Sequence, residues 1–147
     1  MIVGIGNDII SMHRIEKVIE KFGSRFEKRI FSDLERELAW ERGSPCIRTF
    51  SSRWASKEAF LKALGTGINN GISWTDISVN KRASGKPFMS IGGEAMKQLK
   101  KAIPLNSEAV VHLTISDDDP WVSAVVIIEA IRPLPKYYKF SKQKSKE

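Results

Sequence analysis

The sequence is short of cysteine and histidine and has no long hydrophobic run. With a single cysteine, Cys46, it has no internal disulfide and no paired-cysteine metal site. The two histidines, His13 and His112, have no evident ligand partners, and no Ser/His/Asp triad or dinucleotide-binding glycine fingerprint accompanies them. No stretch approaches the roughly 20 apolar residues that cross a bilayer. No charged leader with a cleavage site precedes the first helix-like segment. These absences lead us to expect a soluble, unexported protein in a reducing cytoplasm, with no membrane span.

What is present has ordinary globular proportions. At 147 residues the chain is the size of one domain, and 41% hydrophobic with 28% charged residues excludes a disordered or fibrous chain. The net charge of +7 suggests nucleic acid, but its distribution argues against that. From Arg132 onward, six basic residues face one acid, Glu147, so most of the charge lies in the last segment. A nucleic-acid module needs basic residues interleaved with exposed aromatics across its body, so no nucleic-acid partner is expected. We read residues 1–131 as the domain and residues 132–147 as a basic C-terminal tail.

The opening run, residues 2–10, is apolar with two glycines and one acid, and suits a buried strand. After Ser11, the residues Ile15, Val18, Ile19 and Phe22 recur at helical spacing, and Gly23 stops the helix. Ser32 and Glu35 form a capping-box pattern that starts a second helix, broken at Gly43, Ser44 and Pro45. A third and longest helix is expected over residues 49–64, with Gly65 as its left-handed cap. Then come a strand over 74–79, a turn at Ser84-Gly85-Lys86 and a returning strand over 87–91. A short helix over 93–102 precedes two β-rich runs, 109–116 and 121–129, joined by an acidic turn. Helices first and antiparallel strands after make an α+β fold, with N-terminal helices packed on an antiparallel sheet.

Three groups of residues carry chemistry. On the long helix, Glu58 and Lys62 lie four apart on one face, with Arg53 and Lys57 adding positive charge; an exposed ion pair is the plain alternative. Asp8 stands among apolar strand residues, where a carboxylate is costly unless paired or bound to a cation. Together, Asp8 and Glu58 could hold one magnesium ion that keeps waters and takes further oxygens from substrate phosphates. Ser84-Gly85-Lys86-Pro87 is either a hairpin turn or a second phosphate contact, and it lacks the full phosphate-loop frame.

These segments, in order and spacing, resemble a known family. Ile5-Gly6-Asn7-Asp8, the block from Arg53 to Lys62 that reads R-W-A-S-K-E-A-F-L-K, the following Gly65-Thr66-Gly67, and Gly85-Lys86-Pro87 are similar to the holo-[acyl-carrier-protein] synthase family, the small bacterial type of 4′-phosphopantetheinyl transferase. The resemblance implies transfer of phosphopantetheine from coenzyme A to a serine of apo acyl carrier protein, with Mg2+ required, in support of fatty acid biosynthesis. Carried over by position, it implies that Asp8 and Glu58 are the metal ligands and, with Lys62, the catalytic group. Lys57, Lys62, Gly65, Gly85, Lys86 and Pro87 would line the coenzyme A site. Arg14 and Arg53 would face acyl carrier protein or coenzyme A phosphates. It also implies a homotrimer with sites between subunits. In one place the chain departs from the family: Asp117 stands where a histidine is usual, which bears on the coenzyme A contact at that edge.

Overall fold

A computed structural model of the chain describes residues 1–41 and 43–133. Strand β1 (Ile2–Ser11) leads into helices α1 (Met12–Phe22), α2 (Ser24–Ile30), α3 (Asp33–Trp40) and α4 (Ile47–Leu64). A 3-10 turn (Trp74–Asp76) opens strand β2 (Ile77–Lys81), which returns as β3 (Pro87–Ile91). Helix α5 (Gly93–Ala102) and the long strands β4 (Glu108–Asp118) and β5 (Trp121–Ile131) follow. The expected α+β class holds. The antiparallel strands form two sheets, a three-stranded β1-β5-β4 and the β2-β3 hairpin.

Most expected elements stand where the sequence put them, with three differences. Helix α2 was not anticipated: it is one short basic segment, and Gly23, at φ 52°, both ends α1 and starts it. The run from Trp74 begins as a tight turn, because the Asp76 carboxylate accepts from the Ser73 N–H and caps it. Asp117 and Asp118 belong to β4, leaving Asp119-Pro120 as the turn into β5. The basic-tail expectation falls almost wholly outside the described residues, which end at Pro133.

β1 pairs along its length with β5, Gly6 opposite Val126 and Asp8 opposite Ala124, so the first strand closes against the last. Alternation puts Gly4, Gly6, Asp8 and Ile10 on the face that meets α4, with Val122, Ala124, Val126 and Ile128 beside them. The core fills this seam with Ala55, Ala59 and Phe60 of α4. On the other face Ile5 and Ile9 remain 64% and 63% exposed next to the β5 residues Ile127 and Ser123.

The glycines of β1 explain how close the helix comes. A Cβ on Gly6 would collide with the Ala59 carbonyl oxygen and approach the Ala63 nitrogen to 2.5 Å, and one on Gly4 would meet the Ala63 carbonyl. Backbone lies against backbone, so neither side can yield. Gly6→Ala is therefore expected to cost about 1–3 kcal/mol of stability, read as a lower urea midpoint. An unchanged midpoint would show that β1 and α4 are not pressed together here.

Candidate active site

Because α4 lies tight on β1, side chains from the two elements meet at the seam's edge. The Lys62 ammonium donates to Asp8 Oδ1 at 2.8 Å. Glu58 shares this edge, and its carboxyl is pushed above the ordinary 4.5, first by burial and then by the Asp8 charge; Lys62 and Arg14 act in the opposite direction. The structure thus brings together Asp8, Glu58, Lys62 and the field of Arg14, residues drawn from β1, α1 and α4. It is a crowded pair of carboxylates relieved by two cations, the arrangement that favours adding a divalent cation. Among the described residues, no cluster of three or more His, Cys, Asp or Glu forms a closed metal cage. Two carboxylates with open positions fit magnesium, which keeps waters and takes substrate oxygens.

Lys57, expected to line the coenzyme A site, is elsewhere. It is fully buried, its ammonium donating to Ile30 O at 2.6 Å, to Glu35 Oε2 at 2.8 Å and to Trp74 O at 3.3 Å. Burial pulls its pKa down and Glu35 pulls it back up. The physical reason is the helix repeat: Lys57 precedes Glu58 by one residue, so when Glu58 faces β1, Lys57 points a quarter-turn away into the wedge between α3 and β2.

Arg53 is likewise not placed to face a protein partner, being 3% exposed. Its Nη1 donates to Ser52 Oγ at 3.1 Å, while Nε and Nη2 have no hydrogen-bond partner among the described residues. Burial lowers its pKa, and Glu35 and Cys46 act against that. Arg53 and Lys57 share one buried acid, Glu35, and a cavity of about 280 Å³ lined by Arg53, Lys81, Thr49 and the acid Glu41 opens beside them.

Gly65 caps α4 in the left-handed conformation. Gly85 and Lys86 are exposed at the β2-β3 turn, where Arg82 N–H donates to Lys86 O, and Pro87 opens β3. None of these makes a hydrogen bond to Asp8, Glu58 or Lys62 among the described residues. Arg14 is exposed on α1. Asp117 is ion-paired with Arg48 at the start of α4, so its charge is already met within the chain. Arg48 and the Glu35 cluster escaped sequence reasoning; Glu35 was visible only as a helix cap.

The seam and the two-sheet fold define a class. Residues 4–125 match the family model of the 4′-phosphopantetheinyl transferase superfamily, and the chain belongs to it. Within that superfamily its likeness is to the holo-[acyl-carrier-protein] synthases. The chain is 46% identical over 135 residues to one from a Ruegeria species, covering 92% of this chain and 94% of that one. The Neisseria meningitidis holo-[acyl-carrier-protein] synthase crystal structure has TM-score 0.75 and 37% identity, covering 88% of this chain and 99% of that one. One from Bacillus anthracis in complex with CoA (3′,5′-ADP) has TM-score 0.71 and 37% identity, covering 89% and 99%. Among the described residues, no helix is long and apolar enough to cross a membrane.

Glu58 yields a test with two readouts. In the unfolded chain it ionises near 4.5, and in the folded chain higher, so between those values the folded state binds more protons and loses stability as pH rises. Glu58→Gln removes that loss. In chelator, the variant is expected to unfold at a higher temperature than the parent at about pH 7 but not at about pH 4, with transfer reduced by orders of magnitude. Wild-type activity with wild-type metal dependence would remove Glu58 from the site.

Proposed function

We propose that the chain transfers the 4′-phosphopantetheine of coenzyme A to a serine hydroxyl of apo acyl carrier protein, releasing adenosine 3′,5′-bisphosphate, in support of fatty acid biosynthesis. The observation that carries this reading is the Asp8–Glu58–Lys62 seam in a chain of this family. The reaction is a displacement at the β-phosphorus: the serine oxygen bonds to phosphorus, and the bond to the bridging oxygen breaks. It asks the protein for little covalent chemistry and much charge stabilisation.

Each part of the chain has a role in this reading. Lys62 offers its ammonium to the developing charge on the pyrophosphate. Asp8 and Glu58 would hold Mg2+, which when bound neutralises phosphate charge and orients the phosphate oxygens. Mg2+ held there would offset the Asp8 repulsion that pushes the Glu58 carboxyl up, leaving both carboxylates ionised. The Arg53 cavity would take a terminal phosphate of coenzyme A, and Gly65, Gly85, Lys86 and Pro87 would flank the remainder.

The acyl carrier protein is acidic, and α1 and α2 suit it: Arg14, Lys17, Lys21, Arg25 and Arg29 are exposed around the apolar Val18, Phe22 and Phe26. Arg14 is close enough to Glu58 to act on its charge, so a partner docked there delivers its serine to the seam. A homotrimer is supported by the open face of the β1-β5 pair, where Ile5 and Ile9 stand in the open beside Ile127. Adjoining subunits would complete a cleft long enough for coenzyme A. A cytoplasmic location accords with the single cysteine.

Purified chain with apo acyl carrier protein, coenzyme A and magnesium tests the reaction directly: holo carrier protein, heavier by one phosphopantetheine, is expected, and its absence with a correctly folded chain would refute the reading. For the assembly, the double variant Ile5→Asp with Ile9→Asp is expected to sediment as a single chain, still folded by circular dichroism, with transfer lost. Sedimentation identical to the parent would place the interface elsewhere.

A further inference from the structure

Lys57 stands one residue before Glu58, and its surroundings account for every hydrogen it can donate. An ammonium has three N–H donors. Those of Lys57 meet Ile30 O at the end of α2, Glu35 Oε2 in α3 and Trp74 O in the turn before β2. Glu35 is as fully used: Oε2 also accepts from Ser32 N–H, and Oε1 accepts from Val79 N–H of β2. The two side chains are 0% and 1% exposed. Neither has a surface left for a substrate, so what the pair does for the reaction it does through another residue.

That residue is Glu58. Successive residues of a helix project about 100° apart, and a side chain ends about 5–6 Å from the axis. A rotation of α4 by about 10° therefore swings the Glu58 carboxylate by about 1 Å. Where reacting groups must be aligned, such a displacement costs on the order of a hundredfold in rate. The Gly4 and Gly6 contacts fix how near α4 lies to β1. Lys57 ties the same helix to three other elements in fixed directions, one residue from the carboxylate, whereas apolar packing is non-directional.

We propose that the buried Lys57–Glu35 pair is a positioning unit for the transfer reaction: it sets the rotation of α4 that brings Glu58 to Asp8, and it touches neither coenzyme A nor the metal. The proposal rests on the reading that Asp8, Glu58 and Lys62 form the reaction site. It gives Lys57 a part in the reaction other than the coenzyme A contact implied by the sequence resemblance.

The test replaces both members, Lys57→Met with Glu35→Gln, so that neither is left as a lone buried charge and Val79 N–H keeps an acceptor. Arg53, which Glu35 attracts and Lys57 repels, loses one interaction of each sign. With the fold intact by circular dichroism, kcat is expected to fall about a hundredfold. KM for coenzyme A and the calorimetric Kd of adenosine 3′,5′-bisphosphate should stay within about twofold. Mg2+, measured by calorimetry without any transfer assay, should bind about tenfold more weakly because one of its carboxylates has moved. Parental kcat and Mg2+ affinity in the folded double variant would make the pair structural only and overturn the proposal. Loss of nucleotide affinity with kcat unchanged would overturn it in favour of a direct coenzyme A contact. If the double variant does not fold, the wild-type chain decides: acetylation of amines under native conditions, read by peptide mass, is expected to mark Lys62 and spare Lys57. Lys57 acetylated in the free chain and protected by coenzyme A overturns the positioning role. A wild-type chain that binds Mg2+ but does not transfer refutes the function read from the seam, and the Mg2+ affinities of the two chains still decide the positioning.

Discussion

The ammonium of Lys57, sealed from water, is bound to the end of α2, to Glu35 of α3 and to the turn before β2. Glu35 in turn accepts from Val79 N–H at 2.8 Å and from Ser32 N–H at 2.9 Å. One buried ion pair therefore fastens α2, α3, α4 and the hairpin at a single point. Such a pair is tolerable only because every polar group has a partner, and removing one member of a buried pair costs on the order of 3–5 kcal/mol. A hydrophobic replacement would fill the volume without fixing direction. The pair sets the rotation of α4 about its axis, and with it where the neighbouring Glu58 points.

On the other side of the same helix the constraint is steric. Gly4 and Gly6 let α4 come down until its backbone touches β1, and the apolar β5 positions fill what remains. Held by the ion pair on one flank and the glycines on the other, α4 presents Glu58 and Lys62 to Asp8 with little freedom. The carboxylates are kept together at an electrostatic cost that the folded protein carries and a bound cation would relieve.

Much of this was legible in the sequence where local chemistry decides. The capping box at Ser32 and Glu35 forms with both of its bonds, and Gly65 takes its left-handed cap. The Asp8 charge acts on Glu58, so these two carboxylates lie near one another. Lys57 was misread because α4 is buried nearly all round, with Ser51, Ser52, Arg53, Ser56 and Lys57 all inside, so polarity in the sequence did not mark the solvent face. The second job of Glu35 was invisible because its partners lie 22 and 44 positions away. Helix α2 has only seven residues, too few for a periodic signal to stand out against its charges. The glycines of β1 read as strand punctuation, and only the packed helix shows why side chains are excluded there.

The pairing of β1 with β5 bears on how the chain is made. Among the described elements β1 is made before its sheet partner β5 and all the helices between them, so Asp8 lacks the strand that fixes it until β5 has been made. The helices have local partners and can form early, whereas closing this long loop is the slow, non-local step. Until it closes, the apolar edge of β1 is open to other nascent chains, and the carboxylate pair does not exist as a unit. The grouping of Asp8 with Glu58 and Lys62 is thus assembled only when β5 closes on β1.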